Sequence, residues 1–265
     1  MVVALGDRLL QRHFVDGASL RAFRLMFGLL AAGAAVRFVL MGWVSALYLE
    51  PAYHFAWVPW AVVPSAGVLY ALFAAQVIGG LGTAFAREHR PWLLLWLLSF
   101  GYVELLDKAL YLNHYVLMTL LGLTLLAHRP RRDGRASERL LWLLRLEVGL
   151  VYFWAGVCKV NADWLLRGEP LSTWLSARAE VPLIGPLLDL PATGLLMSWG
   201  GCAYDLGIAA LLLWPRARPA AIALVVFFHT LLGLLFPIGI FPVLMLVAVT
   251  LFFPYNWPRR LTKTS

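Results

Sequence analysis

The stretch "VYFWAGVCKVNADW", residues 151–164, decides how this chain is read. An apolar run that lipid would accept stops at Cys158, and Lys159, Asn161 and Asp163 follow at once. Hydrocarbon cannot satisfy backbone N–H and C=O groups, whereas a helix satisfies them internally, so such a run marks a membrane helix reaching its interface. The rest of the sequence has the same character. Of 265 residues, 62% are hydrophobic and 14% charged, with mean hydropathy +0.78, against roughly half apolar and a quarter charged in soluble domains.

Similar apolar runs predict spans near 20–42, 64–83, 91–107, 114–128, 138–158, 193–214, 217–235 and 238–254. The expected fold is therefore all-α: a polytopic integral membrane bundle of about eight transmembrane helices, forming one domain over 1–265. No small-residue cleavage site follows the first run, which reads as a retained span rather than a secretion signal. Between the fifth and sixth spans, Pro170, Pro182, Pro186 and Pro191 with Trp164 and Trp174 predict short interfacial helices.

The basic residues orient this bundle, because short cytoplasmic loops retain Lys and Arg. With both termini cytoplasmic, the inner segments hold Arg8, Arg12, Arg21, Arg24, Arg87, Arg90, Arg129, Arg131, Arg132, Arg135, Arg139, Arg216, Arg218, Arg259, Arg260 and Lys263, sixteen of the 22 basic residues. Four lie outside: Lys108, Lys159, Arg167 and Arg178. Arg37 and Arg145 fall within spans and are expected to meet acids such as Glu104 or Glu147, or to reach an interface. Net charge +8 thus follows from topology and anionic inner-leaflet lipid, with no nucleic-acid partner implied.

This topology gives the polar residues an address. "ELLDKALYLNHYVL", residues 104–117, turns from the third span into the fourth on the outer side. Lys159 ends the fifth span on that side, and His229 lies in the outer half of the seventh. Asp107, Lys108, Asn113, His114, Lys159, Asp163 and His229 therefore fall in one outward layer, with Trp164 beside it and Asp205 deeper in the sixth span. Ionisable groups at membrane depth are costly and commonly face a cavity or one another, which makes the layer a candidate site.

Structural readings stand beside each of these. A lysine at a span end can snorkel to the interface. A histidine in an apolar helix can bond a neighbouring span. Asp107 and Lys108 can form an interfacial ion pair, Asn113 a turn and His114 a helix-end cap. Asp205 can bond another helix. Cys158 and Cys202 have no ligand-like spacing, and neither a zinc site nor a disulfide is expected. The six histidines are dispersed, and phosphate-loop, nucleophile-elbow and dinucleotide motifs are absent from the sequence. No metal is expected.

"LLDKALYLNHYVL", "VYFWAGVCKVNADWL", "FFHTLLGLLFPIGIFPVLML" and "NWPRRL" resemble, in order, segments of the vitamin K-dependent gamma-carboxylase family. "SLRAFRLMFG" likewise resembles the opening of that family's membrane region, the horizontally transferred transmembrane (HTTM) domain. The resemblance runs from Ser19 to Leu261 and implies a gamma-glutamyl carboxylase-like lyase chemistry. A lysine matching Lys159 deprotonates reduced vitamin K, a menaquinol or related naphthoquinol. The quinolate reacts with dioxygen and becomes an epoxide, and a strongly basic oxygen anion formed on the way removes a glutamate γ-proton so that the carbanion captures carbon dioxide. His114 matches a histidine tied to the carboxylation half, and Asp107, Asn113 and His229 match positions lining the same region. A lysine works as a base only when neutral, a form that desolvation favours. The end of an apolar span is expected to supply that environment.

The carboxylases carry a further lumenal domain that grips the substrate's propeptide, whereas this sequence stops eleven residues after Pro254. The expectation is a membrane-domain-only member in the plasma (inner) membrane with its active face outward. Lipid and quinone are its expected partners, with quinol oxygenation its activity, and carboxylation is expected to need a separate substrate-docking protein. Two other classes remain open: a non-catalytic accessory or scaffold using the surface of 165–192, and a transporter using the polar layer as a vestibule.

Overall fold

A computed structural model describes residues 13–261. Arg8, Arg12, Lys263 and both chain termini lie outside the described residues. The fold is all-helical, 71% helix. Its long helices are α1 (Ala18–Leu40), α2 (Ala66–Phe85), α3 (Arg90–Leu105), α4 (Asn113–Leu126) and α5 (Glu138–Cys158). Two short helices follow, α6 (Leu171–Ser176) and α7 (Gly185–Leu188). Then come α8 (Pro191–Leu213), α9 (Arg218–Leu235), α10 (Phe241–Val249, prolonged by a 3-10 turn to Phe252) and α11 (Trp257–Leu261). Strands β1 (Phe14–Asp16) and β2 (Arg135–Ser137) form one antiparallel pair.

Each of the eight apolar runs folds as a helix, with ends within a few residues of the reading from sequence. Five of these helices, α1, α2, α5, α8 and α9, are long and apolar enough to cross a membrane. The other three are shorter: α3 has 16 residues, α4 has 14 and α10 has nine before its 3-10 turn. Proline sets several starts. Pro91, Pro191, Pro219 and Pro242 stand in the first turns of α3, α8, α9 and α10, where a missing N–H costs nothing and the fixed φ suits the helix.

The chain divides into two compact units, one reaching to Arg145 and resuming at Phe253, the other Leu146–Phe252. In the first, α1 and α2 cross at glycines: a Cβ on Gly28 would meet the Gly80 carbonyl oxygen at 2.5 Å. Such contact lets two backbones pack where lipid supplies no hydrophobic drive between helices. Beside it, Phe27 meets Trp96 edge-on at 5.5 Å and Trp96 stacks on Phe100 at 4.7 Å. The end of the chain closes this unit. Tyr255 accepts a backbone bond from Ser19 N–H and donates from its hydroxyl to Glu138, while Arg259 pairs with Asp16 at 3.1 Å.

Arg37 lies 4.5 Å over the Trp43 ring and is in none of the ion pairs among the described residues. Arg145 lies over Trp142 and Tyr255, 5.1 and 5.0 Å from their centroids. In the second unit, Leu171, Leu175 and Leu188 of α6 and α7 pack with Leu235 and Phe236. The proline-rich segment thus folds as short helices, preceded by a π-helical turn at Asp163–Arg167.

Candidate functional site

In the second unit α5 and α8 approach at Gly156, where a Cβ would lie 2.8 Å from the backbone nitrogen of Leu206. This notch brings the last turn of α5 against the middle of α8. Lys159, one residue beyond α5, donates from Nζ to Asp205 Oδ2 at 2.5 Å and to the Ala155 carbonyl at 3.3 Å. The lysine side chain keeps 20% exposure and the aspartate 7%. Among the described residues, Lys159 is the only hydrogen-bond donor to Asp205. The ammonium also stands 5.0 Å over the Trp164 ring, an added attraction through the ring quadrupole.

The polar run after the lysine fixes this corner. Asn161 donates from Nδ2 to the Cys158 carbonyl at 2.9 Å and accepts from the Trp164 backbone N–H at 2.9 Å. The Trp164 indole donates to the Ser198 carbonyl at 2.7 Å, tying the loop to α8. Asp163 turns the other way and pairs with Arg167, both side chains being mostly exposed. Lys159, Trp164 and Asp205 are therefore brought together, and Asp163 is not with them. The reading from sequence expects the end of an apolar span to favour the neutral lysine by desolvation. The structure instead sets the Asp205 carboxyl group directly against it.

Tyr204, one position before Asp205, begins a second cluster. Its hydroxyl lies 3.5 Å from that of Tyr152, and the Tyr152 hydroxyl lies 3.0 Å from His229 Nε2. All three side chains are buried. Tyr204 stacks on Phe228 at 4.0 Å, and both line a groove of about 560 Å³ between α8 and α9. The small residues Gly200, Gly201 and Gly207 leave its floor open, while Leu224, Phe227 and Leu231 wall it. Such a volume lies within the usual range of small-molecule sites. Gly201 links groove and lysine corner, since a Cβ there would be 4.0 Å from the Trp164 ring.

Asp107, Lys108, Asn113 and His114 belong to the first unit. Asp107 accepts from Ala109 N–H at 2.9 Å, Phe55 N–H at 3.4 Å and His54 Nδ1 at 3.0 Å. His54 Nε2 in turn lies 3.1 Å from the Tyr48 carbonyl oxygen. Burial raises the Asp107 carboxyl, but these hydrogen bonds and the imidazole outweigh it and hold it below the ordinary carboxylate range. Its partner is His54, not Lys108, which lies 5.5 Å over Trp57. Asn113 opens α4 and is exposed; His114 is buried edge-on to Tyr115 at 4.7 Å.

Sequence reasoning missed Tyr152, Tyr204 and the Gly156 notch. Tyr152 lies on α5 seven residues before Lys159, the one local signal that could have raised it. Among the described residues no group of three or more His, Cys, Asp or Glu is placed to hold a metal ion. Cys158 is exposed and Cys202 buried, both free.

The HTTM domain model matches residues 12–257, so the chain belongs to the HTTM domain family. No solved structure matches it.

Proposed function

As a membrane protein of the HTTM family, the carboxylase-associated family, the chain has a lysine corner beside an apolar groove, and we propose that it oxygenates a naphthoquinol of the menaquinol class with Lys159 as the general base. The observation that carries this reading is the 2.5 Å contact between Lys159 and Asp205. Proton transfer along it leaves a neutral amine and a neutral carboxyl, a form suited to low dielectric. The amine then takes a quinol hydroxyl proton, and the ammonium so formed stands against the quinolate. Overall, quinol and dioxygen give quinone epoxide and water, one oxygen atom entering the ring. The groove lined by Tyr204 and Phe228 supplies apolar surface for the ring or its isoprenoid tail.

In this reading eight helices cross the membrane, both termini are cytoplasmic, and the site faces outward from the plasma membrane. His114 serves the coupled carboxylation of a glutamate, with carbon dioxide as co-substrate, and a separate protein docks that substrate. The test is turnover of the purified protein with reduced menaquinone and oxygen, with product analysis for the epoxide. Epoxide from wild type but not from Lys159→Ala is expected.

A non-catalytic accessory role is the second reading. The exposed apolar run Leu183, Ile184, Leu187 and Leu190, with Leu183 97% accessible, supports it. Absence of epoxide from every quinol tested would favour it.

A further inference from the structure

The first unit contains a small, partly open cavity remote in sequence from the lysine corner. It is bounded by α1 to α4 and Tyr48, and Gln76, Trp96, Glu104 and Tyr115 are among its lining residues. We propose that this cavity is a hydrated proton-binding site, in which water bridges the side chains of Gln76 and Trp96 to the carboxyl group of Glu104 and the carboxyl carries an exchangeable proton.

The walls dictate the ligand. Gln76 is 3% and Trp96 1% exposed. Gln76 Nε2 and Trp96 Nε1 have no hydrogen-bond acceptor among the described residues. Both atoms are donors, so they call for an oxygen that accepts. A buried donor without a partner forfeits the full cost of its desolvation, and both residues line this cavity.

Glu104 has the opposite need. It is part-buried and is in none of the ion pairs among the described residues. Charged groups withdrawn from water are paired or neutralised. The groups that face it are Tyr48 and Tyr115, both acid-side neighbours that add no positive charge. Arg37 acts on Tyr115 but stacks over Trp43, and Asp107 acts on Tyr48 but is held by His54.

Size and polarity select water. The cavity measures about 30 Å³, above the 10–15 Å³ that one water requires and below what a ring system occupies. An alkali cation would suit the carboxyl and aromatic faces such as Phe38 and Phe100, but it cannot accept a hydrogen bond from an N–H donor. Water accepts from those donors and gives its own hydrogens to Glu104. No electron moves; the only chemistry is proton exchange between carboxyl and water.

Infrared difference spectroscopy on the full chain in lipid vesicles tests this without reference to any catalytic activity. Wild type minus Glu104→Gln should show a protonated-carboxyl C=O band at neutral pH that shifts when the vesicles are moved to deuterated water. Gln76→Leu should retain that band but displace it, because the bridging water loses one anchor. Glu104→Asp, which keeps the carboxyl if the glutamine variant folds poorly, should move the band rather than abolish it. A wild-type spectrum lacking the band would overturn the proposal. So would a band indifferent to Gln76→Leu, or one replaced by a carboxylate signal on adding sodium at constant ionic strength, which would make the occupant a metal cation.

Discussion

Two aspartates of the candidate site, Asp107 and Asp205, meet different fates. Asp107 is saturated: two backbone N–H groups and the His54 imidazole converge on it, and the result pins the loop around residues 54–57 to the end of α3. Asp205 has Lys159 as its only donor among the described residues. A carboxylate held from several sides keeps its charge and its geometry, whereas the proposed function has one with a single lysine partner exchange a proton with it. Residue type alone does not separate the two; the number of donors does.

The comparison can be broken most severely at the lysine. Lys159→Ala should lower quinol epoxidation by about 10²–10⁴-fold, the usual contribution of a general base. Arginine should fail to rescue, because its guanidinium does not give up a proton. Retention of the protein's melting temperature alongside lost turnover would separate chemistry from folding. His114→Ala, in the other unit, should affect epoxidation less than Lys159→Ala.

The next effect concerns the partner. Asp205→Asn removes the proton acceptor and should cost roughly 10–100-fold in the same assay, at the lower end of what acid–base positioning contributes. Gly156→Ala should act in the same direction by prising α5 from α8, since its methyl would press on Leu206. Its signature is joint loss of turnover and thermal stability.

For Asp107 the expectation is structural. Asp107→Asn should cost about 1 kcal/mol in stability, the net worth of hydrogen bonding it weakens, and should loosen residues 53–57 to protease while leaving epoxidation nearly intact. The smallest effect is on acid. Because the folded Asp107 carboxyl is held below its ordinary range, its stabilisation is complete above that range. It is lost as pH falls below about 4 and through the lowered value. Amide exchange at residues 54–57 should rise there in wild type and be flat in Asp107→Asn.

Much of the fold could be read beforehand, because span length and apolarity are local properties. All eight apolar runs are helices, although α3, α4 and α10 are shorter than the five that satisfy both length and apolarity. The end of α3 is tied to a packed loop by the backbone bonds from Trp57 to Leu105 and from Lys108 to Phe55. Of the candidate site, the presence of polar residues at membrane depth, Lys159 and Asp205 among them, was legible. The distinction between Asp163, turned out to Arg167, and Asp205, turned in to the lysine, was not. It depends on the π-helical turn at Asp163–Arg167 and on a notch at Gly156, neither of which has a periodic signature. The pairing of β1 with β2, whose partners Asp16 and Arg135 are far apart in sequence, was invisible for the same reason.

The most direct measurement is turnover of purified protein in vesicles with reduced menaquinone and isotopically labelled dioxygen, wild type against Lys159→Ala, with mass analysis of the quinone. The account predicts epoxide bearing a single labelled oxygen from wild type and none above background from the alanine variant. Equal epoxide formation by the two proteins would contradict it.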